Sequence, residues 1–157
     1  MHPRAAELIT SLQLEAHPEG GYYREIFRSK GLVAPADGRG PRAALTTIYY
    51  LLPAGIVSRL HRVTSDEVWH LYEGGPLEVL SIDPACSVIS RHTLEAQAPV
   101  CTVAASNWQA ARTLGDFALA GCTVAPGFDF ADFSILADDA AAAARVLAAW
   151  PHTAAFI

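Results

Sequence analysis

The densest group of polar residues in the chain lies between Gly55 and Gly74. His61 lies near the end of one strand-like run, a short polar turn follows, and Glu67 begins the next run. A hairpin at this turn would bring His61 and Glu67 into one cavity. Such a pair can move a proton, because burial raises the pKa of a carboxyl group while a neighbouring opposite charge favours both ionised forms. The spacing therefore predicts acid–base chemistry, with His61 and Glu67 as the catalytic residues.

Aromatic and charged residues near the N-terminus form a second candidate group. Tyr22 and Arg24 follow the turn His17–Gly21, and Tyr49 lies in the run TTIYYLL. Phenol groups beside a guanidinium suit a phosphate or a carboxylate, although the same residues also serve as ordinary strand residues with one face in the core. Glu19 belongs to the turn itself, where the glycines permit positive φ, and we expect it either in solvent or at the rim of a pocket.

Four further residues have both a structural and a functional interpretation. Trp69 and Trp108 are core or pocket-wall residues, or a stacking platform for a flat ligand. Alternation along a strand places Trp69, and not His70, on the face of Glu67, so that a bulge would be needed to turn His70 inward. A carboxylate at Asp132, beside aromatic residues, is costly unless it is paired, and a buried structural hydrogen bond is favoured over a role in the site.

The elements that would position these residues are mostly strands. Residues 45–136 form a succession of short strand-like runs separated by turns, without intervening helices, which is typical of a β-sandwich or barrel. A strand is also predicted to open at Tyr22, and the segment after Pro126 is predicted to turn and then continue as a strand carrying Asp132. The polar, glycine-rich stretch Gly38–Pro41 indicates a mobile surface loop.

Two helices are predicted to flank this strand-rich region. Apolar residues recur at helical spacing from Pro3 to Leu14, and proline suits a first helical turn. Asp138 and Asp139 can cap the alanine-rich stretch Ala140–Trp150, which a proline ends.

The composition predicts one domain with a large core. The chain has 157 residues, of which 52% are hydrophobic and 17% charged, and folding at this length buries roughly 70% of the surface that the unfolded chain exposes. The charged fraction is below the roughly 25% of an average soluble domain, and the mean hydropathy is +0.23. We therefore expect part of the surface to be covered in a homo-oligomer.

Charge and motifs exclude several classes of function. The net charge is −5 with no basic stripe, which argues against nucleic acid as a partner. No apolar run approaches the ~18 residues of a membrane span, and the N-terminus lacks the pattern of a signal peptide, so we expect a soluble, cytoplasmic protein with no membrane partner.

Three cysteines in apolar runs, without C-x-x-C spacing, predict buried thiols. No nucleophile elbow, P-loop or G-x-G-x-x-G motif is present.

The segment Gly55–Gly74 resembles the first motif of the cupin superfamily, G-x5-H-x-H-x3-E-x6-G. His61, Glu67 and both glycines match at every spacing, and Val63 stands where the second histidine would be. The second cupin motif is matched more loosely, with Gln109 at the position of its histidine. The resemblance thus keeps one histidine and one glutamate of the usual set and replaces the rest.

Four further segments, HPEGGYYRE, TTIYYLL, SDEVWH and CTVAPGFDFADF, resemble a small family of mostly uncharacterised RmlC-like cupins over about residues 6–136. The resemblance implies an all-β double-stranded β-helix, the cupin jelly-roll barrel, with a short N-terminal helix and a C-terminal helix. It implies a single domain over 1–157 with the barrel at about 20–136, and no settled reaction. It also implies a homodimer, to which the segment Tyr22–Arg28 could contribute by strand exchange or sheet extension.

Many cupins hold iron, manganese, zinc or nickel with three histidines and one glutamate. In this chain the resemblance leaves His61 and Glu67, with Gln109 as a weak third donor. We therefore expect no cofactor, with a divalent transition metal held by these three residues as the alternative.

Two classes of function follow for the barrel mouth. One is a metal-independent isomerase or epimerase acting on a sugar or nucleotide-linked ligand, in which His61 exchanges a proton and Glu67 orients or neutralises it. The similarity to nucleotide-sugar epimerases implies an aspartate partner for the histidine, for which Asp129 or Asp132 could stand in. The other is a non-catalytic module that binds a small anionic or sugar-like ligand, and a metal-dependent oxygenase or isomerase ranks third. The predicted ligand-binding residues are Glu19, Tyr22, Arg24, Tyr49, Trp69, His70, Trp108, Gln109 and Asp132.

Overall fold

Two antiparallel β-sheets pack face to face as a jelly-roll barrel, with one helix before the barrel and one after it. The computed structural model describes all residues from 1 to 157. The helices are α1 (Pro3–Ser11) and α2 (Ala140–Ala149), with short 3-10 helices at Phe130–Asp132, Leu136–Asp138 and Pro151–Phe156. The strands are β1 (Glu15–Ala16), β2 (Tyr22–Arg28), β3 (Leu32–Val33), β4 (Arg42–Ala43), β5 (Thr46–Pro53), β6 (Val57–Val63), β7 (Asp66–Gly74), β8 (Leu77–Ile82), β9 (Ile89–Leu94), β10 (Val100–Val103), β11 (Trp108–Thr113), β12 (Phe117–Ala125) and β13 (Phe133–Ile135). The all-β fold class predicted from the sequence is confirmed.

The two sheets divide the strands so that the motif-bearing residues face each other across the barrel. One sheet has the order β1-β2-β5-β12-β7-β10 and the other the order β13-β6-β11-β8-β9, while β3 and β4 form a small separate hairpin. Strands β6 and β7 therefore lie in different sheets and do not form the hairpin that the sequence suggested. The chain crosses from one sheet to the other between Val63 and Asp66, and His61 and Glu67 face inward from opposite walls.

Three apolar clusters hold this arrangement together. The inner one lies between the sheets and includes Trp69, Leu77 and Val79. The second lies on the outer face of the five-stranded sheet, where Leu60 and Trp108 pack against α2 and the C-terminal segment. The third lies on the outer face of the six-stranded sheet beneath α1, so that each sheet is covered on its outside by one helix.

Both helices start where the sequence signals predict, although α1 ends at Ser11 and not at Leu14. Helix α1 starts at Pro3, and the Asp139 side chain caps α2 by accepting a hydrogen bond from the Ala142 amide at 2.9 Å. All three cysteines are free; Cys101 and Cys122 are buried as predicted, whereas Cys86 is only partly so. No helix has the length and apolar character needed to cross a membrane.

The segment after Pro126 differs from its prediction. It forms a turn of 3-10 helix at Phe130–Asp132 before the short strand β13, because the Asp129 side chain accepts a hydrogen bond from the Ala131 amide and caps that turn. The loop predicted to be mobile is tied to this segment, since Arg39 and Arg42 both donate to the Asp132 carboxylate, at 2.9 and 2.8 Å.

Candidate functional site

A cavity of about 320 Å³ opens between the two sheets beside the inner core. Its buried end carries the titratable side chains of His17, Glu19, His61 and Glu67. Its aromatic wall consists of Tyr23, Tyr50, Phe128, Phe130 and Phe133, and its exposed mouth carries Glu25, Arg28 and Asp129. A pocket of this size, with a few polar groups converging in an apolar setting, is the usual form of a small-molecule site.

His61 is fixed by its own strand and is almost fully buried. Its Nδ1 lies 2.8 Å from the carbonyl oxygen of Arg59, and its Nε2 lies 3.2 Å from Oε2 of Glu19. The ring also lies beside Phe133, with 5.5 Å between centroids. Burial lowers the pKa of His61, and the nearby Glu67 carboxyl opposes this shift. The imidazole is therefore favoured in its neutral form.

Glu19 reaches the cavity because its turn is held against strand β6. The Arg59 amide donates to the Glu19 carbonyl at 2.8 Å, and the Ser58 hydroxyl donates to Glu19 Oε1 at 2.7 Å. The turn requires glycine at position 20, where φ is +114° and a Cβ would collide with the Val57 carbonyl. Burial raises the pKa of Glu19, so that its protonated form is favoured.

His17 completes the buried end from the start of the same turn. Its Nδ1 accepts a hydrogen bond from the Glu19 amide at 3.3 Å and lies 3.5 Å from Glu19 Oε2. Its ring meets Tyr23 edge to face at 4.5 Å and also contacts Tyr50 and Phe133. Burial lowers the pKa of His17, which is the effect of removing an imidazole from water.

Glu67 is held by a relay of hydrogen bonds that ends in the inner core. The Gln109 amide nitrogen donates to Glu67 Oε2, and Trp69 Nε1 donates to Gln109 Oε1 at 3.0 Å. The Trp69 donor fixes which end of the Gln109 amide faces Glu67, because an indole N–H can only donate. Burial raises the pKa of Glu67, while His61 and Gln109 oppose that shift.

Three of the predicted ligand-binding residues, on strands β2 and β5, lie on the outer face of the six-stranded sheet, away from the cavity. Tyr22 and Tyr49 pack against the cluster beneath α1. Arg24 donates to the Leu12 carbonyl and to Gln13 Oε1, at 3.1 and 3.0 Å. The reason is the alternation of the strand, which turns Tyr23 and Glu25 inward and their neighbours outward.

Five more of the predicted ligand-binding residues also lie outside the cavity lining, in which only Glu19 of that set is found. Trp69 and Gln109 lie behind it and support Glu67, and Trp108 lies on the outer face under the C-terminal segment, with the Arg62 guanidinium 4.5 Å from its ring centre. His70 faces outward beside Tyr72, as the alternation predicted. Asp132 is held in its ion pairs with two arginines, which lower the pKa of its carboxyl group.

The structure adds residues that the sequence reasoning missed. His17, Tyr23 and Glu25 lie within the HPEGGYYRE segment, but alternation alone cannot tell which face of its strand is buried. Arg28 reaches the mouth because a register shift in β2 between Glu25 and Phe27 reverses the alternation, and a bulge of this kind leaves no clear mark in the sequence.

The metal centre implied by the resemblance depends on the donors that His61, Glu67 and Gln109 can offer together. The Gln109 oxygen is taken by Trp69 and its nitrogen is turned to Glu67, so that the amide offers no oxygen to a shared ion. No group of three or more histidine, cysteine, aspartate or glutamate side chains is arranged to hold a metal ion. The predicted donor set does not fit a metal centre.

The charges of the cavity are mostly acidic. Four carboxyl groups line it, those of Glu19, Glu25, Glu67 and Asp129, against one guanidinium. That guanidinium, of Arg28, is already bound by both oxygens of Glu25, at 2.9 and 2.6 Å. The site can therefore give and take protons at its buried end, and it offers little to neutralise an added negative charge.

Comparisons with known proteins agree with this fold. The sequence profile of the family described as "Cupin superfamily (DUF985)" matches residues 6–136. The chain is 33% identical to a hypothetical protein from Leishmania major, with a TM-score of 0.83 over 97% of this chain and 96% of that one. It is 35% identical to protein SO0799 from Shewanella oneidensis, with a TM-score of 0.77 over 96% and 92% of the two chains.

A more distant structural neighbour is oxalate decarboxylase from Bacillus subtilis. The identity is 16% and the TM-score 0.56, over 78% of this chain and 30% of that one, which shows a shared fold. No curated protein matches the chain. The matched profile, the two full-length relatives and the jelly-roll barrel together show that this chain is a cupin of the DUF985 family.

Proposed function

We propose that this protein binds a small, uncharged, oxygen-rich molecule of about monosaccharide size and moves a proton on it, as an isomerase or epimerase does. The observation that carries the proposal is the buried end of the cavity, where the buried side chains of Glu19, His61 and Glu67 converge with the partly buried imidazole of His17. Burial lowers the pKa of His61, which favours the neutral base, and raises the pKa of both carboxyl groups, so that one of them can serve as the acid.

The size and charge of the cavity favour a sugar over a nucleotide-linked ligand. A volume of about 320 Å³ is near the lower limit of ligand pockets. A phosphate would meet mostly carboxyl groups, and the one guanidinium at the mouth is already paired with Glu25. The aromatic wall gives the apolar face of a sugar ring a surface on which to stack.

The proposed chemistry is proton transfer next to a carbonyl group. His61 Nε2 takes the proton from the carbon beside the carbonyl, the C–H bond breaks, and its electrons move to the carbonyl oxygen, which takes a proton from a buried carboxyl group. Return of a proton to the other face of that carbon, with the enol hydroxyl giving its proton back to the carboxylate, gives an epimer. Return of a proton to the former carbonyl carbon, with the hydroxyl of the neighbouring carbon giving its proton to the carboxylate, gives an isomer. Glu67 stabilises the imidazolium formed in the first step, and general acid–base groups of this kind contribute roughly 10²–10⁴-fold to a rate.

Deuterium exchange tests the proposal directly. The protein is incubated in D2O with a panel of uncharged aldoses and ketoses, and incorporation beside the carbonyl is followed by proton NMR. We expect exchange on at least one sugar and a loss of roughly 100-fold or more in His61→Gln. His152→Gln, on the exposed C-terminal segment, is the matched control and should exchange as the wild type does. Binding of a sugar without exchange would leave only the non-catalytic binding function.

We also propose a second copy of the chain as a partner at strands β2 and β3. Large apolar side chains are exposed there, those of Ile26, Phe27, Leu32 and Val33. Beyond Tyr23, strand β2 is paired only with β5, so its other edge can extend the sheet to another chain. Light scattering should give twice the 16.7 kDa chain mass, and Phe27→Glu should shift it toward the monomer. A monomeric wild type would contradict this proposal.

A further inference from the structure

The hydrogen bonds around His61 fix where its protons are. A carbonyl oxygen can only accept, so the 2.8 Å contact to the Arg59 carbonyl places a proton on Nδ1 of His61. In the neutral ring the other nitrogen, Nε2, then carries a lone pair. That lone pair lies 3.2 Å from Oε2 of Glu19.

The same reasoning holds for the second imidazole at Glu19. His17 Nδ1 accepts from the Glu19 amide, so it too carries a lone pair, at 3.5 Å from Glu19 Oε2. The Ser58 hydroxyl donates to the other carboxyl oxygen, Oε1. Oε2 therefore faces two nitrogens that have no hydrogen to give it, and a proton between Oε2 and Nε2 of His61 removes the repulsion.

We propose that Glu19 is the acid partner of His61, that the two side chains share a single proton, and that this proton rests on Glu19 Oε2 in the free protein. The catalytic consequence rests on the proposed function, whereas the position of the proton does not. In that reaction the Glu19 proton turns from Nε2 of His61 to the carbonyl oxygen of the substrate, which frees the Nε2 lone pair to take the proton from carbon. The role of Glu67 is confined to stabilising charge from the opposite wall.

Burial favours the uncharged resting state of the pair, and the polar groups around it act in the opposite sense. Burial acts on Glu19 and His61 in the same sense, raising the pKa of the first and lowering that of the second. His17 and Glu67 are the nearest titratable groups, and the Tyr50 hydroxyl is occupied by the Gly20 carbonyl at 2.7 Å. The remaining neighbour of opposite charge, the half-buried Arg59, donates to the Pro18 carbonyl.

Nitrogen NMR of the histidine rings tests the position of the proton in the wild-type protein. At pH 7 we expect one protonated and one bare nitrogen for His61, with the proton on Nδ1. Signals of two protonated nitrogens would show an imidazolium–carboxylate pair and overturn the proposal. Neither result depends on whether any sugar turns over.

Two isosteric variants identify the partner. In Glu19→Gln the amide oxygen can accept from Ser58 and the amide nitrogen can donate to Nε2, which reproduces both hydrogen bonds of a protonated carboxyl. We expect this variant to keep the His61 nitrogen pattern, to lose exchange activity 100-fold or more, and to match or exceed the denaturant midpoint of the wild type at pH 8.

If the denaturant midpoint of Glu19→Gln at pH 8 is lower than that of the wild type, the variant has lost a buried ion pair and the proposal fails. In Glu67→Gln the His61 tautomer should persist. If Glu67→Gln moves the proton of His61 and Glu19→Gln does not, Glu67 is the partner and the proposal fails.

Discussion

The relay from Trp69 through Gln109 to Glu67 makes a quantitative prediction about stability. Gln109→Leu keeps the approximate size of the side chain but removes the acceptor of the Trp69 N–H and the donor to Glu67. A buried donor without a partner costs about 1–3 kcal/mol, and a hydrogen bond to a charged group contributes about 1.5–3 kcal/mol. We expect Gln109→Leu to lower the free energy of unfolding by about 3 kcal/mol at neutral pH.

A double-mutant cycle separates the two halves of this loss. Trp69→Phe should cost about 2 kcal/mol, since it leaves the Gln109 oxygen unpaired and removes part of a buried ring. The double variant should cost about 1 kcal/mol less than the sum, because the two single changes remove the same hydrogen bond. Thr47→Val, on the outer face of the six-stranded sheet, is the control and should add to Gln109→Leu without coupling.

Urea denaturation, followed by far-UV circular dichroism, measures all of these free energies. Strict additivity between Trp69→Phe and Gln109→Leu would refute the relay. So would an unchanged response of Glu67 to pH in Gln109→Leu, because the lost amide donor should raise the pKa of that carboxyl further.

Four further predictions concern other parts of the structure. Glu67→Gln should become more stable relative to the wild type as pH rises above about 5. A carboxyl group whose pKa is raised in the folded state ionises first in the unfolded chain, so the wild type loses stability there. A parallel pH dependence of the two proteins in urea denaturation would contradict this. Gly20→Ala should lose about 3 kcal/mol or more by strain and collision, whereas Gly38→Ala, with φ +84° and open space around it, should lose only about 1 kcal/mol by the same measurement. Val63→His, which places a third donor on the inner face of β6, should bind one Co²⁺ with a visible absorption band that the wild type lacks. Asp132→Asn should expose the arginine-bearing loop to trypsin, and an unchanged digestion rate would show that the ion pairs do not hold it.

Much of the fold could be predicted because its signals are local. The turns and alternating runs of residues 45–136 predict an all-β barrel, and Pro3 and Asp139 mark the starts of the two helices. The pairing of strands is not local. The sequence suggested that β6 and β7 form a hairpin, whereas the structure puts them in opposite sheets, since two adjacent strands with a short turn can pair or diverge with the same pattern.

The site was predicted only in part, because strand pairing, which is not local, decides which side chains face the cavity. His61 and Glu67 follow from motif spacing, but which face of β2 is buried depends on the barrel around it, so Tyr22 and Arg24 were expected where Tyr23 lies. The bulge that brings Arg28 to the mouth is a property of strand pairing and could not be read from composition.

The turn that carries Glu19 lies outside the strands that carry the cupin motifs. Its hydrogen bond to Ser58 joins residues 39 positions apart, and the Arg59 amide is its backbone anchor on strand β6. The turn and the barrel can therefore change independently in evolution. A related barrel that keeps the histidine could gain or lose its acid through a change in this one turn, with the barrel itself unaltered.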